Sequence, residues 1–513
     1  MKAVIMAGGK GTRIRSVASD IPKPMIPVLN KPVLQYQIEN LARCGITDII
    51  LVTGYLSEAV SSYFGDGSSF GVNITYFNED TPMGTAGALY YLYRDGRLDD
   101  DFLLIMGDLM LSVDFNRFMG AHKASGAYAT LFVHPNSHPY DSDIIVTDEV
   151  GRLEDYTEDK CGIDSNKEND KDIYTSDKAC GCCISSANKE MLADNIKPGG
   201  DGNFDNIEQK AAHDEMLQSP HALSKPVIGI ISKKAERPDD FYYHNQVNAG
   251  IYALSPSAAA LVAEPKEKID LDKDIIRPLI AEKKVYAYRS TEYVKDMGTP
   301  ERYNEVSDAV RCGTVERRNL SNKQRCIFLD RDGTVNVEKG FLNNPADMEL
   351  MPQAAEAIKR INASEYLAVL ITNQPVIARG ECSFEGLDEI QKKFDTLLGR
   401  EGAYIDAVYY CPHHPHSGFE GEVKALKFKC RCRKGAPGMI EDAAAELNID
   451  TGSSWMIGDK TSDVECGRRA GCRTVLLHTG ADGTDGRFDE PADTEADNLA
   501  EAVDAILLEG QQA

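Results

Sequence analysis

Nowhere does this 513-residue sequence carry an apolar run approaching the roughly 18–20 residues of a membrane-spanning helix. That excludes a helical span on sequence grounds. Positive charge is also scarce: 56 Lys and Arg stand against 81 Asp and Glu, a formal net charge of −25. General nucleic-acid binding needs a surplus of cations to displace counterions, so it is excluded as a class. Phosphorylated small substrates are not, because loops and bound cations set the field inside a site. No internal repeat is evident, which argues against a solenoid. The opening MKAVIMAGG is too short for a signal peptide and reads as a first β-strand, so a cytoplasmic protein is expected. In that reducing compartment the thirteen cysteines read as thiols or metal ligands rather than disulfides.

What is present is a 42% hydrophobic chain, enough to bury substantial cores and long enough for two to four domains. Short apolar runs (KAVIMAG, TDIILVTGY, DFLLIMGD, AYATLFVH) alternate with amphipathic stretches. VLQYQIENLARCG reads as a helix closed by Gly45. This βαβ rhythm implies an α/β domain with a largely parallel sheet and helices on both faces. It breaks near Leu153, where about residues 154–226 are polar and acidic, and VIGIISKK then resumes a strand pattern. TPERYNEVSDAVRCG reads as a closing helix. A polar linker is expected over 312–325, after which CIFLDRDGT opens a second series with LAVLITNQ, DAVYYC, SSWMIGD and RTVLLHTG. The expected organisation is two doubly wound α/β domains, 1–311 with an insertion at about 154–226, and 326–513, ending in an acidic loop-like tail and a short helix.

AGGKGTR follows the first strand. Gly8, Gly9 and Gly11 let backbone amides approach an anion, and Thr12 and Arg13 add a hydroxyl and a bidentate phosphate donor. The loop is not a dinucleotide fingerprint, since Ile14 stands where a third glycine is needed, and no P-loop pattern occurs. Together with PKPM, NEDTPMGTAGAL, MGDLML, VNAGIY and VKDMGTPERY, it resembles the sugar-phosphate nucleotidyltransferases over about residues 1–150 and 227–311. The resemblance implies a Rossmann-like mixed sheet. It also implies that Gly8, Gly9, Gly11, Thr12 and Arg13 hold the nucleotide phosphates, with Lys23 on the attacked phosphate and Glu79, Gly84 and Thr85 near base and ribose. Asp108 and Asp296 would bind Mg²⁺, and Asn248 would face the sugar. ISKKAERP departs from the relatives' Glu-Lys-Pro, which leaves the sugar-phosphate lysine open between Lys233 and Lys234, with Lys234 preferred. The implied reaction is attack of a sugar 1-phosphate oxygen on the nucleotide α-phosphorus, with pyrophosphate leaving in line.

CIFLDRDGTVN sets Asp330 and Asp332 just beyond a strand, two acids able to divide nucleophilic and acid/base work on a phosphate. With ITNQ, RKG and GDKTSD following in order, the C-terminal region resembles the haloacid dehalogenase-like phosphatases. By that resemblance Asp330 is the nucleophile and Asp332 the acid/base. Thr372 and Lys434 hold the phosphoryl group. Asp459 completes a Mg²⁺ site with Asp330 and the Asp332 main chain, Asp463 stands behind it, and Asn373 and Lys460 face the substrate.

YYCPHHPHSGFEGEVKALKFKCRCRKGAPGM carries two short ligand pairs, Cys411-x-His413 and Cys430-x-Cys432, and Cys₃His is a tetrahedral zinc set. No C-x-x-C occurs in this loop, which argues against a redox role. The loop resembles that of the D-glycero-D-manno-heptose 1,7-bisphosphate phosphatases. The resemblance implies a structural zinc on Cys411, His413, Cys430 and Cys432, leaves His414 and His416 outside the ligand set, and aims Arg433 and Lys434 at the substrate. NQP has proline where relatives often have serine.

The two sites fit consecutive steps: loss of the 7-phosphate from a heptose 1,7-bisphosphate, then activation of the 1-phosphate. The first domain is most similar to guanylyltransferases of mannose-type sugars, so GTP and a phosphorylated heptose are the expected partners, with Mg²⁺ in both sites and a GDP-heptose as product. Mannose 1-phosphate, another nucleotide, and one domain serving only in binding or assembly stay open, as does a homo-oligomer. Within the insertion, Cys161, Cys180, Cys182, Cys183 and His213 offer irregularly spaced metal ligands, and an oligomer contact or a flap suits that segment better.

Overall fold

The computed structural model describes residues 1–8, 21–148, 224–262 and 268–510. Among them no helix is long and apolar enough to cross a membrane. The insertion with its cysteines and His213, and the loop residues Gly9, Gly11, Thr12 and Arg13, lie outside the described residues.

The first sheet has nine strands, in spatial order Asn73–Asn78, Asp48–Thr53, Lys2–Met6, Phe102–Met106, Val247–Leu254, Ala129–His134, Val285–Arg289, Ser224–Ile231 and Ile144–Thr147. Lys2–Met6 pairs in parallel on both sides, so Ala3, Val4 and Ile5 are all buried and the strand shows no alternation. The first four strands are parallel neighbours. The rest are mixed: Val247–Leu254 enters between Phe102–Met106 and Ala129–His134 and runs antiparallel to both. The largely parallel sheet expected from the βαβ rhythm therefore holds for one half only. Sequence order could not reveal a late strand slipping between two earlier ones.

Helix Val33–Arg43 buries Val33, Leu34, Ile38 and Leu41, and also two polar side chains. Gln37 Nε2 donates to the carbonyls of Met106 (3.1 Å) and Leu109 (2.7 Å). Asn40 exchanges two 2.8 Å hydrogen bonds with the main chain of Val113. Buried amides of this kind are kept because the backbone they satisfy has no water to turn to. Here they fix the segment carrying Asp108.

The second sheet has six strands, all parallel, in the order Ala407–Cys411, Tyr366–Asn373, Arg325–Leu329, Trp455–Gly458, Arg473–Leu477 and Thr494–Ala496. The last strand lies inside the tail that was expected to be loop, and completes the sheet edge beside Arg473–Leu477. Asp330, Thr372, Cys411 and Asp459 all sit at or just beyond the carboxyl ends of neighbouring strands, where open α/β sheets bind ligands.

The stretch between the sheets, expected to be a polar linker, contains the short helix Thr314–Arg317 and is tied down on both sides. Arg318, buried, bonds Asp406 (3.0 Å) and the Tyr366 carbonyl (2.9 Å). Glu292 accepts from the amides of Leu320 (3.0 Å) and Asp114 (2.6 Å). Its own burial pushes Glu292 up to about 7. Helix Phe384–Arg400 of the second half packs against residues 239–246 of the first, through Thr396 on the main chain of Tyr243 (2.9 and 3.2 Å) and Arg400 on the Asp239 carbonyl (2.7 Å).

Candidate functional sites

In the N-terminal half, strand Tyr293–Asp296 pairs antiparallel with Leu109–Ser112, so that Asp296 lies opposite Leu109 and beside Asp108. Lys23, at the start of a short 3₁₀ turn, forms an ion pair with Asp108. Asp296 accepts from Arg302 Nη1 (2.8 Å) and the Gly298 amide (2.8 Å). Burial works to raise its pKa, but the Arg302 charge and these hydrogen bonds outweigh it and hold Asp296 below the usual carboxylate range. Three expected residues, Lys23, Asp108 and Asp296, are thereby assembled around one two-stranded sheet.

The remaining expectations distribute as follows. A Cβ on Gly8 would lie 3.6 Å from Glu79 Oε2, so the first loop glycine and Glu79 are neighbours. Burial raises Glu79 above the ordinary carboxylate value. Gly84 adopts φ +90°, and a Cβ there would fall 2.3 Å from the Ile269 carbonyl oxygen. Thr85 Oγ1 accepts from the Leu271 amide (2.7 Å), so its hydroxyl knits two loops together. Asn248 donates to Tyr252 Oη (2.9 Å) and accepts from the Gly250 amide (3.1 Å). Lys233 and Lys234 are both exposed; the Lys233 amide donates to Asp143 (2.8 Å) and the Lys234 amide to Ser232 Oγ (3.3 Å).

The C-terminal half is more tightly built. Lys434 Nζ lies 2.5 Å from Asp330 and 2.8 Å from Asp463, all three buried. Asp330, Asp459 and Asp463 present ligand atoms within 4.8 Å of one another, an arrangement able to hold a metal ion. Asp463, expected behind the site, belongs to that group. Burial first, then the neighbouring Asp330 charge, pushes Asp459 up to about 7. Burial likewise raises Asp463 to about 6 against the pull of Lys434. Crowded like charges of this kind are the condition a hard divalent cation relieves.

Asp332 points into a different set of partners. It accepts from Arg331 Nη2 (3.0 Å), Asn336 Nδ2 (3.0 Å) and Gln374 Nε2 (2.9 Å). Burial opposes its ionisation, yet the Arg331 charge and these donors keep it below the ordinary range. Gln374 Nε2 also bonds Thr372 Oγ1 (2.8 Å). Lys460 bonds Glu338 (2.9 Å) and approaches the Asp332 carbonyl (3.4 Å) and Asp459 (3.5 Å), so it stands beside the acidic group. Asn373 accepts from the Lys434 amide (2.9 Å) and fixes that loop.

Cys411, His413, Cys430 and Cys432 are buried, with their ligand atoms mutually within 4.8 Å. The Sγ–Sγ separations run from 3.2 to 3.5 Å, far beyond a disulfide bond and close to the edge of a tetrahedral thiolate site, about 3.7 Å for a ~2.3 Å metal–sulfur bond. Burial opposes the Cys411 thiolate. Hydrogen bonds from Cys430 and Cys432 and the Arg433 charge overcome it and lower Cys411 well below an ordinary thiol, which is what metal binding requires. His414 and His416 lie outside the group. Arg433 Nη1 donates to the His413 carbonyl (3.0 Å) and braces the loop.

Five residues with a direct hold on these sites escaped assignment from sequence: Arg302, Arg331, Asn336, Gln374 and Glu338. Gln374 and Asn336 stood within quoted motifs, TNQ and RDGTVN, and Arg302 within VKDMGTPERY. Gln374 and Glu338 meet partners that only the fold brings near, Asp332 at 42 positions and Lys460 at 122.

Comparison with known proteins agrees with this division. Residues 2–159 match the family model described as nucleotidyl transferase, and residues 431–502 the HAD-hydrolase-like model. The chain is 38% identical over 159 residues (31% of this chain, 85% of the relative) to a D-glycero-β-D-manno-heptose-1,7-bisphosphate 7-phosphatase of Haemophilus ducreyi. It is 40% identical over 158 residues (31% and 83%) to the phosphatase of the same name from Pasteurella multocida. Among solved structures, HddC from Yersinia pseudotuberculosis complexed with GMP-PN aligns over 60% of this chain and 99% of its own, with 19% identity and a TM-score of 0.38.

Proposed function

Because the chain belongs, through its C-terminal part, to the D-glycero-β-D-manno-heptose-1,7-bisphosphate 7-phosphatase family, and carries a nucleotidyl transferase domain ahead of it, we propose that its two activities act in succession on one heptose. The phosphatase would remove the C7 phosphate of the bisphosphate. The transferase would then pass GMP from GTP to the remaining heptose 1-phosphate, giving GDP-heptose and pyrophosphate.

The observation that carries the phosphatase half is Lys434 bridging Asp330 and Asp463 beside Asp459. Asp330 would attack phosphorus, breaking the bond to the C7 oxygen and forming an aspartyl-phosphate. Asp332 would give its proton to the departing oxygen. It would then take one from the water that attacks the aspartyl-phosphate, freeing inorganic phosphate and restoring Asp330. Its bonds to Arg331, Asn336 and Gln374 hold it ionised, which suits the second role. The first requires it to turn from Arg331 and take up a proton. Lys434 and Thr372 would neutralise and orient the transferred group. A Mg²⁺ on Asp330, Asp459 and the Asp332 main chain would screen one anion from another as they approach. The Cys411, His413, Cys430 and Cys432 set fits Zn²⁺, and with four protein ligands it has no open position, so its role would be to pin the loop bearing Arg433 and Lys434.

For the transferase half, Asp108 and Asp296 would hold Mg²⁺, while Lys23, Arg13 and the amides of Gly8, Gly9, Gly11 and Thr12 would bind the triphosphate. Glu79, Gly84 and Thr85 would border base and ribose, with Asn248 and Lys234 on the sugar. The pairing of Lys23 with Asp108, and the position of Asp108 beside Asp296, support this reading. The test is to incubate the protein with heptose 1-phosphate and each nucleoside triphosphate in turn while scoring pyrophosphate, and to score phosphate released from the 1,7-bisphosphate. GTP should be the preferred nucleotide. Preference for ATP or CTP sinks the guanylyl assignment, and absence of phosphate release sinks the coupled sequence.

A further inference from the structure

The two halves meet where a single short turn is gripped from both sides. The 3₁₀ turn Pro139–Asp141 belongs to the transferase half. Helix Phe384–Arg400 of the phosphatase half approaches it so closely that a Cβ on Gly399 would fall 2.7 Å from Pro139 Cγ. Any side chain at 399 must displace the turn or the helix. The same helix holds the neighbouring segment: Asp388 and Asp395 flank His244 (2.9 and 3.1 Å), Thr396 bonds Tyr243, and Arg400 bonds the Asp239 carbonyl. That segment in turn fastens the turn. Arg237 donates to the carbonyls of Pro139 (2.7 Å) and Ser142 (2.7 Å), and Asn245 exchanges hydrogen bonds with the main chain of Asn136 (2.7 and 3.1 Å).

The other side of the turn faces the transferase carboxylates. Asp141 accepts from Arg302 Nη2 (2.9 Å), while Nη1 of the same guanidinium holds Asp296 (2.8 Å). Arg302 is thus a planar fork with one prong on each acid. Its orientation, and the share of its charge that reaches Asp296, depend on where Asp141 stands. Asp141 stands where the phosphatase helix seats the turn.

We propose that the turn Pro139–Asp141 is a positioning element: the phosphatase helix seats it, and through Asp141 and Arg302 it orients Asp296 at the transferase site. Arg302 and Asp141 act through Asp296 and are positioning residues, not catalytic ones. The consequence is that docking of the phosphatase half holds the transferase metal site in shape. The functional part rests on the reading of Asp296 as a magnesium ligand. The structural part does not.

The experiment therefore has two arms, both on the full-length chain. In the first, hydrogen–deuterium exchange is followed without metal or nucleotide in peptides spanning 138–142 and 296–302. Gly399→Leu should speed exchange in both peptides by at least about five-fold, and Asp141→Asn should speed it in 296–302 without changing 384–400. Loss of protection confined to 138–142 in Gly399→Leu, or an unchanged 296–302 peptide in Asp141→Asn, overturns the proposal. In the second arm, half-saturating Mg²⁺ for pyrophosphate release should rise at least about five-fold in either variant and no further in the double variant, since one path is broken twice. Asp141→Glu should restore most of the loss, and phosphate release should stay within about two-fold of the parent in Asp141→Asn. Additive effects in the double variant overturn the shared path. Should Gly399→Leu also lose phosphate release, Arg400→Ala, which removes only the bond to Asp239, is judged by the same two peptides. Asp296→Asn separates the readings: full pyrophosphate release with unaltered Mg²⁺ dependence removes the magnesium-ligand reading and leaves the exchange result to decide the structural claim.

Discussion

His244 of the transferase half reaches Asp388 of the phosphatase half, Nε2 to Oδ1, at 2.9 Å. Its other ring nitrogen lies 3.1 Å from Asp395, so both nitrogens face carboxylates, and the imidazolium is the form that satisfies both. Burial works against the charge, but the hydrogen bonds and charges of Asp388 and Asp395 outweigh it and raise His244 to about 9. Lys392 also pairs with Asp388 (2.8 Å), and Gln391 bonds Asp395 (3.0 Å). A folded value above the unfolded one of about 6.5 means that the stabilisation is complete below pH ~6.5 and lost as pH rises through about 9. Its size is on the order of 3 kcal/mol. Thermal unfolding followed from pH 6.5 to 9.5 should show the interface weakening across that window. His244→Gln should flatten the dependence and lower the melting temperature chiefly at the acid end. A variant curve parallel to the parent's would remove His244 as the titrating group.

Asp330 and Asp463 share one lysine, and Asp459 is forced partly neutral beside them. Asp330→Asn removes the proposed nucleophile and one of three crowded charges. Phosphate release should fall by at least about 10³-fold while pyrophosphate release stays within about two-fold. In metal-free buffer the variant should melt a few degrees higher, because sites built to bind cations store repulsion. If both activities fell together, the two sites would not be independent.

Legibility in the sequence follows from how far each contact reaches. DRDG, ITNQ, RKG and GDKTSD could be read because each motif sits at or near the end of an apolar strand or opens a helix, and all converge on one edge of a parallel sheet. The Cys₃His set could be read because its two pairs are each two residues apart. Val247–Leu254 could not be placed, because nothing local tells a strand to slip antiparallel between two earlier ones. The packing of the linker was hidden for a related reason: its polar residues look solvated, yet Arg318 finds Asp406 88 positions away and is buried with it. Gln374 meets Asp332 across 42 positions and His244 meets Asp395 across 151, distances over which single-sequence patterning carries no signal. The bond from Arg433 to the His413 carbonyl was equally out of reach, since proximity to Lys434 in sequence says nothing of it.

The buried cluster of Cys411, His413, Cys430 and Cys432 should bind one zinc per chain, measurable by elemental analysis, and the figure also tests the insertion. Two zinc ions per chain would point to a second site there. Cys430→Ser should reduce the zinc content and lower the melting temperature of the phosphatase half, because ligand sets of this kind couple metal binding to folding. Phosphate release should drop by about ten-fold or more as the loop bearing Lys434 loosens, with pyrophosphate release little changed. Full phosphate release from zinc-free protein would remove the pinning role.

Gly333 closes the nucleophile loop under two independent constraints. Its φ is +91°, a region that costs an L-residue roughly 1 kcal/mol or more, and a Cβ there would fall 2.4 Å from Asp459 Oδ2. Backbone strain alone would be tolerated. Overlap with a carboxylate would not, because Asp459 is held by the Ala481 amide (2.6 Å) and has little room to retreat. Its Oδ2 also lies 2.2 Å from where a Cβ on Gly480 would be, so a second loop closes the opposite side. Gly333→Ala should therefore displace Asp459 from the acidic group and cut phosphate release by about 100-fold or more, with half-saturating Mg²⁺ raised rather than substrate KM. Gly340→Ala, at φ +76° but with nothing within 4 Å of its Cβ, carries the backbone strain without the overlap and should leave the rate within a few-fold. Equal losses in the two variants would assign the effect to backbone strain and withdraw the contact with Asp459 as its cause.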